Sequence, residues 1–108
     1  MTEPAREISH PFPTTSTLKR DAAETMAKTL RAVADPTRLQ LLSMIAGAPG
    51  EEATVSDLAE SLGLRQPTVT HHLRILVEEG VLMREQRGKY AWHQIAADRR
   101  SAILDLLR

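Results

Sequence analysis

Apolar positions recur along this chain at two periods, and the places where the period changes mark out the elements. Over residues 64–76, Val69, Leu73 and Leu76 fall at i, i+4 and i+7, one helical stripe that must bury against something. Gln66, Thr70, His71 and Arg74 lie off that stripe and make a polar face. Over residues 54–62, Val55, Leu58, Ala59 and Leu62 give the inward stripe of a second short helix. Thr54 is placed to cap it, with Asp57 standing where Glu or Gln is usual. Gly63, Leu64 and Arg65 join the two. Two short helices across a glycine turn, the second polar and basic outward, form a helix-turn-helix. Amides, hydroxyls and cations on such a face are the groups that base edges and phosphates call for.

The rest of the chain reads as support for that unit. A first helix is expected from Ser16 or Thr17 to about Ala34, with Ala22, Met26, Leu30 and Val33 along one side. Asp35 as N-cap and Pro36 at the first helical position start the next, which takes Leu39, Leu42 and Ile45 inward, widened by Leu41 and Met44. Gly47, Ala48, Pro49 and Gly50 end it, and Glu51, Glu52 and Ala53 continue as a loop. After Gly80, residues 81–84 and 90–95 read as two strands around residues 85–89, where Gly88 supplies the turn. A hairpin directly after a recognition helix is a wing. A last helix over residues 98–108 carries Ile103, Leu106 and Leu107 on one side. Residues 1–16 hold three prolines (Pro4, Pro11 and Pro13) without periodicity and read as a flexible N-terminal arm. Residues 17–108 are then one winged helix-turn-helix domain, mainly α with a small antiparallel hairpin (α+β), in the order four helices, two strands, one helix.

Composition changes this picture little. Fourteen Lys and Arg balance fourteen Asp and Glu, so net charge does not announce a nucleic-acid partner. Residues 65–89 are locally more basic, with Arg65, Arg74, Arg84, Arg87 and Lys89 against Glu78, Glu79 and Glu85. Cysteine is absent, which excludes disulfides and thiolate metal sites. No apolar run approaches the ~20 residues of a membrane span, so a soluble, cytoplasmic protein without a membrane partner is expected. No nucleophile, base and orienter stand at recognisable spacing, and there is no glycine-rich phosphate loop. An enzyme is not expected.

The segments LRAVADPTRL (30–39), VSDLA (55–59), TVTHHLRIL (68–76) and EGVL (79–82) together resemble the ArsR/SmtB family of bacterial winged-helix repressors, over roughly residues 18–95. The resemblance implies a homodimer paired through its first and last helices, bound to a twofold-symmetric double-stranded DNA operator. It implies that Gln66, Thr68, Thr70 and His71 reach bases and nearby phosphates, while Arg87 and Lys89 in the wing touch backbone. Arg65 stands where the family commonly has Ser, which weakens the cap and favours a phosphate contact; Arg74 completes the DNA-binding set. The family's effector is often a metal ion, and here its sites lack their residues. The cysteine site would fall on residues 54–58, and the site on the last helix meets Ala97 and Arg99 and finds no histidine in residues 101–108. No metal and no cofactor are therefore expected, and the effector is unknown.

His71 and His72 are adjacent, so on a helix they point about 100° apart and cannot chelate one ion together. His72 reads as packed or solvated, His93 as structural within a wing strand, and Arg38 as an ion pair or backbone anchor. Two other readings compete with the repressor. His10 of the arm, with carboxylates, would build an unlisted metal site; or the winged helix serves protein contacts alone.

Overall fold

The structure, a computed structural model, describes residues 17–108. Helices α1 (Arg20–Val33) and α2 (Pro36–Gly47) lead through a 3-10 turn, Pro49–Glu51, into strand β1 (Glu52–Thr54). Helices α3 (Val55–Leu62) and α4 (Gln66–Glu78) follow, then strands β2 (Leu82–Arg87) and β3 (Tyr90–Ile95). A 3-10 turn, Ala97–Arg99, and α5 (Arg100–Leu106) close the fold. The expected order of helices and hairpin stands, and the fold is a winged helix-turn-helix.

Local chemistry starts and stops these elements. The Asp35 carboxylate accepts the Arg38 backbone N–H at 3.0 Å, and Pro36 occupies the first turn of α2, where its missing donor costs nothing. The Thr54 hydroxyl accepts the Asp57 backbone N–H at 3.2 Å and starts α3. Gly63 ends that helix in the left-handed region (φ 69°), which glycine enters without a Cβ clash. Arg65, ahead of α4, provides no side-chain cap.

One core holds the elements together. Leu41, Leu42 and Ile45 of α2, Leu58 of α3, and Val69, Leu73 and Leu76 of α4 are almost wholly buried with Val81 and Ile103. Full burial of each large aliphatic side chain contributes roughly 1.5–3 kcal/mol before the entropy of ordering it is counted.

Several expectations need correction. Residues 51–53 do not continue as a loop: Glu52–Thr54 pairs antiparallel with β3, Ala53 opposite His93, so the sheet has three strands in the order β1-β3-β2. The first wing strand runs to Arg87 instead of ending at Arg84, leaving Gly88 and Lys89 as a two-residue loop. Gly88 has φ 59° and Lys89 does not share a positive φ, the requirement of a II′ hairpin turn. The extra strand residues are polar because backbone pairing and side-chain bonds, not burial, hold that end of the hairpin. Leu39 is not inward: the α2 stripe is rotated, so Leu41 lies in the core while Leu39 is exposed. The first helix starts at Arg20 and the last at Arg100, each later than expected.

The two terminal helices divide between core and surface. Val33 and Ile103 are buried, and Leu107 packs against the core. Ala22, Met26, Leu30 and Leu106 stay exposed.

The Asp35 cap generates a prediction. Its carboxylate is held below its ordinary pKa, first by the Arg38 backbone N–H and further by the charge of Arg38. A depressed folded-state pKa stabilises the fold above the unfolded value and loses that contribution as pH falls through the folded one. Asp35→Ala should cost about 1 kcal/mol in urea denaturation at pH 7. The gap from wild type should narrow below about pH 4; a pH-independent gap would contradict the cap's electrostatic part.

Candidate nucleic-acid interface

Burial of Val69, Leu73 and Leu76 leaves α4 one way to face, and its polar residues are presented outward. Arg65, Gln66, Thr68, His71 and Arg74 are exposed, and Thr70 is half-buried. Gln66, Thr70 and Arg74 follow one another at i, i+4 and i+8 along one edge of the helix. That edge borders a cleft of about 620 Å³ between α4, the start of α3 and the wing. Lys89, at the hairpin tip, lines the same cleft, its Nζ 5.5 Å from the Tyr90 ring centre. Four of the expected DNA-binding residues are thus brought together, with Arg65, Thr68 and His71 on the exposed helix surface around them.

The sheet adds a residue that the reading of the sequence passed over. Arg84 pairs with His93 across the hairpin, and the next pair inward on the same face is Leu82 with Ile95, both in the core. Directly paired residues share a sheet face, so Arg84 lies on the side that looks at α4 and lines the cleft. The signal was present as a period of two from Leu82. Ser56 and His93 also line the cleft. His93 is buried with its Nδ1 unpartnered among the described residues. Burial, and then the charge of Arg84, push its pKa below the ordinary histidine value, partly offset by the Ala91 carbonyl.

Arg87 is placed differently. It stands on the opposite face from Arg84, and its guanidinium grips Glu52 of β1 with two bonds, 2.6 and 2.9 Å, and Glu85 with two more, 2.7 and 3.0 Å. It also lies over the Trp92 ring, 5.1 Å from its centre. These bonds hold the Glu52 carboxyl below its ordinary pKa and raise that of Arg87. The residue expected to touch DNA backbone is spent on clasping the wing to β1.

Arg38 and His72 have structural parts. Arg38 is a backbone anchor, as expected: its Nε donates to the Ala32 carbonyl at 2.5 Å, and its Nη1 lies 3.3 Å from His72 Nδ1. This ties α4 to the α1–α2 junction. His71 is exposed, its ring centre 5.6 Å from that of His72. Among the described residues no three His, Cys, Asp or Glu side chains gather as a metal site. His10 lies outside the described residues. Among them no helix is long and apolar enough to cross a membrane.

Comparison with known proteins agrees with this geometry. Residues 35–83 match the family described as "Bacterial regulatory protein, arsR family". The chain is 33% identical to the HTH-type transcriptional regulator NmtR of Mycobacterium tuberculosis, over 82% of this chain and 71% of that one. The chain belongs to the arsR family of bacterial regulatory proteins. A further relative is the transcriptional repressor SdpR of Bacillus subtilis, 29% identical over 65% of this chain and 74% of that protein. Among solved structures, the homodimeric winged helix-turn-helix DNA-binding domain of Mb0332 from Mycobacterium bovis superposes with a TM-score of 0.69 at 24% identity, covering 85% of this chain and 84% of that one. The family relatives are transcriptional regulators rather than enzymes.

The clasp is testable. Glu52→Gln should leave the helices as they are but speed amide hydrogen exchange along the β1–β3 pairing, because Arg87 would then hold only to its own strand. Unchanged exchange at residues 52–54 and 92–94 would mean that backbone pairing alone secures the wing.

Proposed function

We propose that this chain is a homodimeric, sequence-specific DNA-binding repressor that lays α4 in the major groove of a twofold-symmetric operator. The observation that carries the reading is α4 itself, whose buried stripe turns a face of amide, hydroxyl, imidazole and guanidinium groups outward beside an acid-free cleft. Gln66, Thr68, Thr70 and His71 offer donors and acceptors to base edges, while Arg65, Arg74 and Lys89 offer charge to phosphates. Arg87 acts indirectly, by setting the wing's position. Membership of the arsR family and the likeness to a DNA-binding domain support the same reading. The residues of the family's usual metal sites are missing from this sequence, so the effector is read as something other than a metal held there. Residues 17–108 form the working domain; the N-terminal arm expected over residues 1–16 lies outside the described residues.

The dimer reading rests on exposed apolar surface. Met26 and Leu30 lie one helical turn apart on α1, 48% and 45% exposed, and Leu106 of α5 is 48% exposed. Arg99 donates to the Thr29 hydroxyl at 3.2 Å, which ties the turn before α5 to α1. Two terminal helices with uncovered aliphatic residues suit a second copy of the chain, as twofold symmetry requires. Such a dimer would set half-sites roughly 34–36 Å apart.

Two variants test these roles. Gln66→Ala should cost roughly 1–3 kcal/mol of discrimination at particular base pairs, read from binding to a panel of operator variants. Equal loss on specific and random duplexes would remove Gln66 from base reading. Leu30→Glu should give a folded monomer in sedimentation, with weakened operator binding. A dimer that survives this change would put the interface elsewhere.

A further inference from the structure

The cleft beside α4 differs in charge from the other clefts described. Those bordered by Trp92, by Arg100 and by Ile75 each include a carboxylate: Glu52 and Asp57, Glu51, and Glu79 in turn. The cleft beside α4 gathers Arg74, Arg84 and Lys89 with no acid in its lining. The hydroxyls of Ser56 and Thr70 and the buried ring of His93 add to its polar wall. Three cations around one cleft repel one another, and nothing in its wall neutralises them. A charged group entering from outside would do so.

The donors suit one class of anion. Guanidinium forks match the oxygens of phosphate, and hydroxyls supply further donors with no added charge. Arg84 commits one bond, from Nη2 to Gln86 Oε1 at 2.6 Å, and Gln86 in turn donates to the Gly88 carbonyl at 3.0 Å. That chain orients the guanidinium while leaving most of its five donors free. We propose that this cleft is a phosphate seat closed by Arg84, taking either a backbone phosphate of bound duplex or a phosphate group free in solution. The inference deepens the reading of α4 as the DNA-reading helix and rests on it for the first of these sources. It adds Arg84 to Lys89 as an anion contact of the wing, while Arg87, already gripped by Glu52 and Glu85, stays out of it.

The test compares wild type, Arg84→Gln and Arg87→Gln as full chains with matched thermal stability. Binding to a random-sequence duplex is followed across a salt series. Inorganic phosphate is titrated separately into the DNA-free protein, against chloride at equal ionic strength, with NMR detection at Ser56, Arg84 and His93. Arg84→Gln should lower the salt slope by about one, whereas Arg87→Gln, which removes only the clasp behind the wing, should lower it by less. Loss of slope places a duplex phosphate in the seat. Loss of the phosphate-induced shifts with an unchanged slope assigns it to a free phosphate. An Arg84→Gln protein that keeps both the wild-type slope and the wild-type shifts overturns the proposal. Should wild type show no salt-dependent DNA binding, the DNA reading fails on its own, and the phosphate titration alone decides the seat.

Discussion

The structure depends first on burial of one stripe. Val69, Leu73 and Leu76 of α4 are at most 1% exposed, packed in a core with Leu41, Leu42, Ile45 and Ile103. Together they contribute several kcal/mol of transfer free energy, and that term admits one rotation of the helix about its axis. Gln66, Thr68, His71 and Arg74 are then turned outward. Presentation of Gln66, Thr70 and Arg74 is therefore a consequence of core packing and requires no separate device. Arg38, bonded to the Ala32 carbonyl and close to His72, adds a polar tie that discourages the helix from rolling.

The second constraint sets where the wing stands. A two-stranded hairpin is marginal by itself, and β1 supplies the third strand that anchors it. Arg87 then grips Glu52 across that sheet and lies over Trp92. With one face of the sheet taken up by this clasp, the other face, carrying Arg84 and His93, is left toward α4. Wing and recognition helix thus come to share a cleft because one arginine is used up on the far side. Neighbouring cations in the same strand have opposite fates for that reason: three residues apart along a strand means opposite faces.

Helical elements were legible in the sequence wherever one physical effect dominated. The period of α3 and α4, the Asp35 and Pro36 start and the Gly63 stop each follow from a single rule, and the structure has them as read. Strand β1 was hidden because three residues are too few to display a period and because its partner, β3, is distant in the chain. Leu39 was misread since α2 carries apolar residues at 39, 41, 42, 44 and 45, and such a crowded pattern does not define one face. At the site, residues of α4 could be named from helical period alone. Arg84 and Arg87 needed the hairpin register, because strand parity separates them and the choice between them turns on Glu52, which sits 35 residues away. Likewise Ile103, read on one side of the last helix with Leu106 and Leu107, lies in the monomer core, while Leu106 is left exposed.

The central claim, that α4 and the wing together read a duplex, is tested most directly by equilibrium binding of the wild-type chain. Labelled DNA from its own upstream region would be compared with a scrambled duplex over a salt series, by fluorescence anisotropy. The account predicts tighter binding to the native sequence and affinity that falls steeply as salt rises. Absence of binding to either duplex at any salt would contradict it and leave the winged helix as a surface for protein contacts.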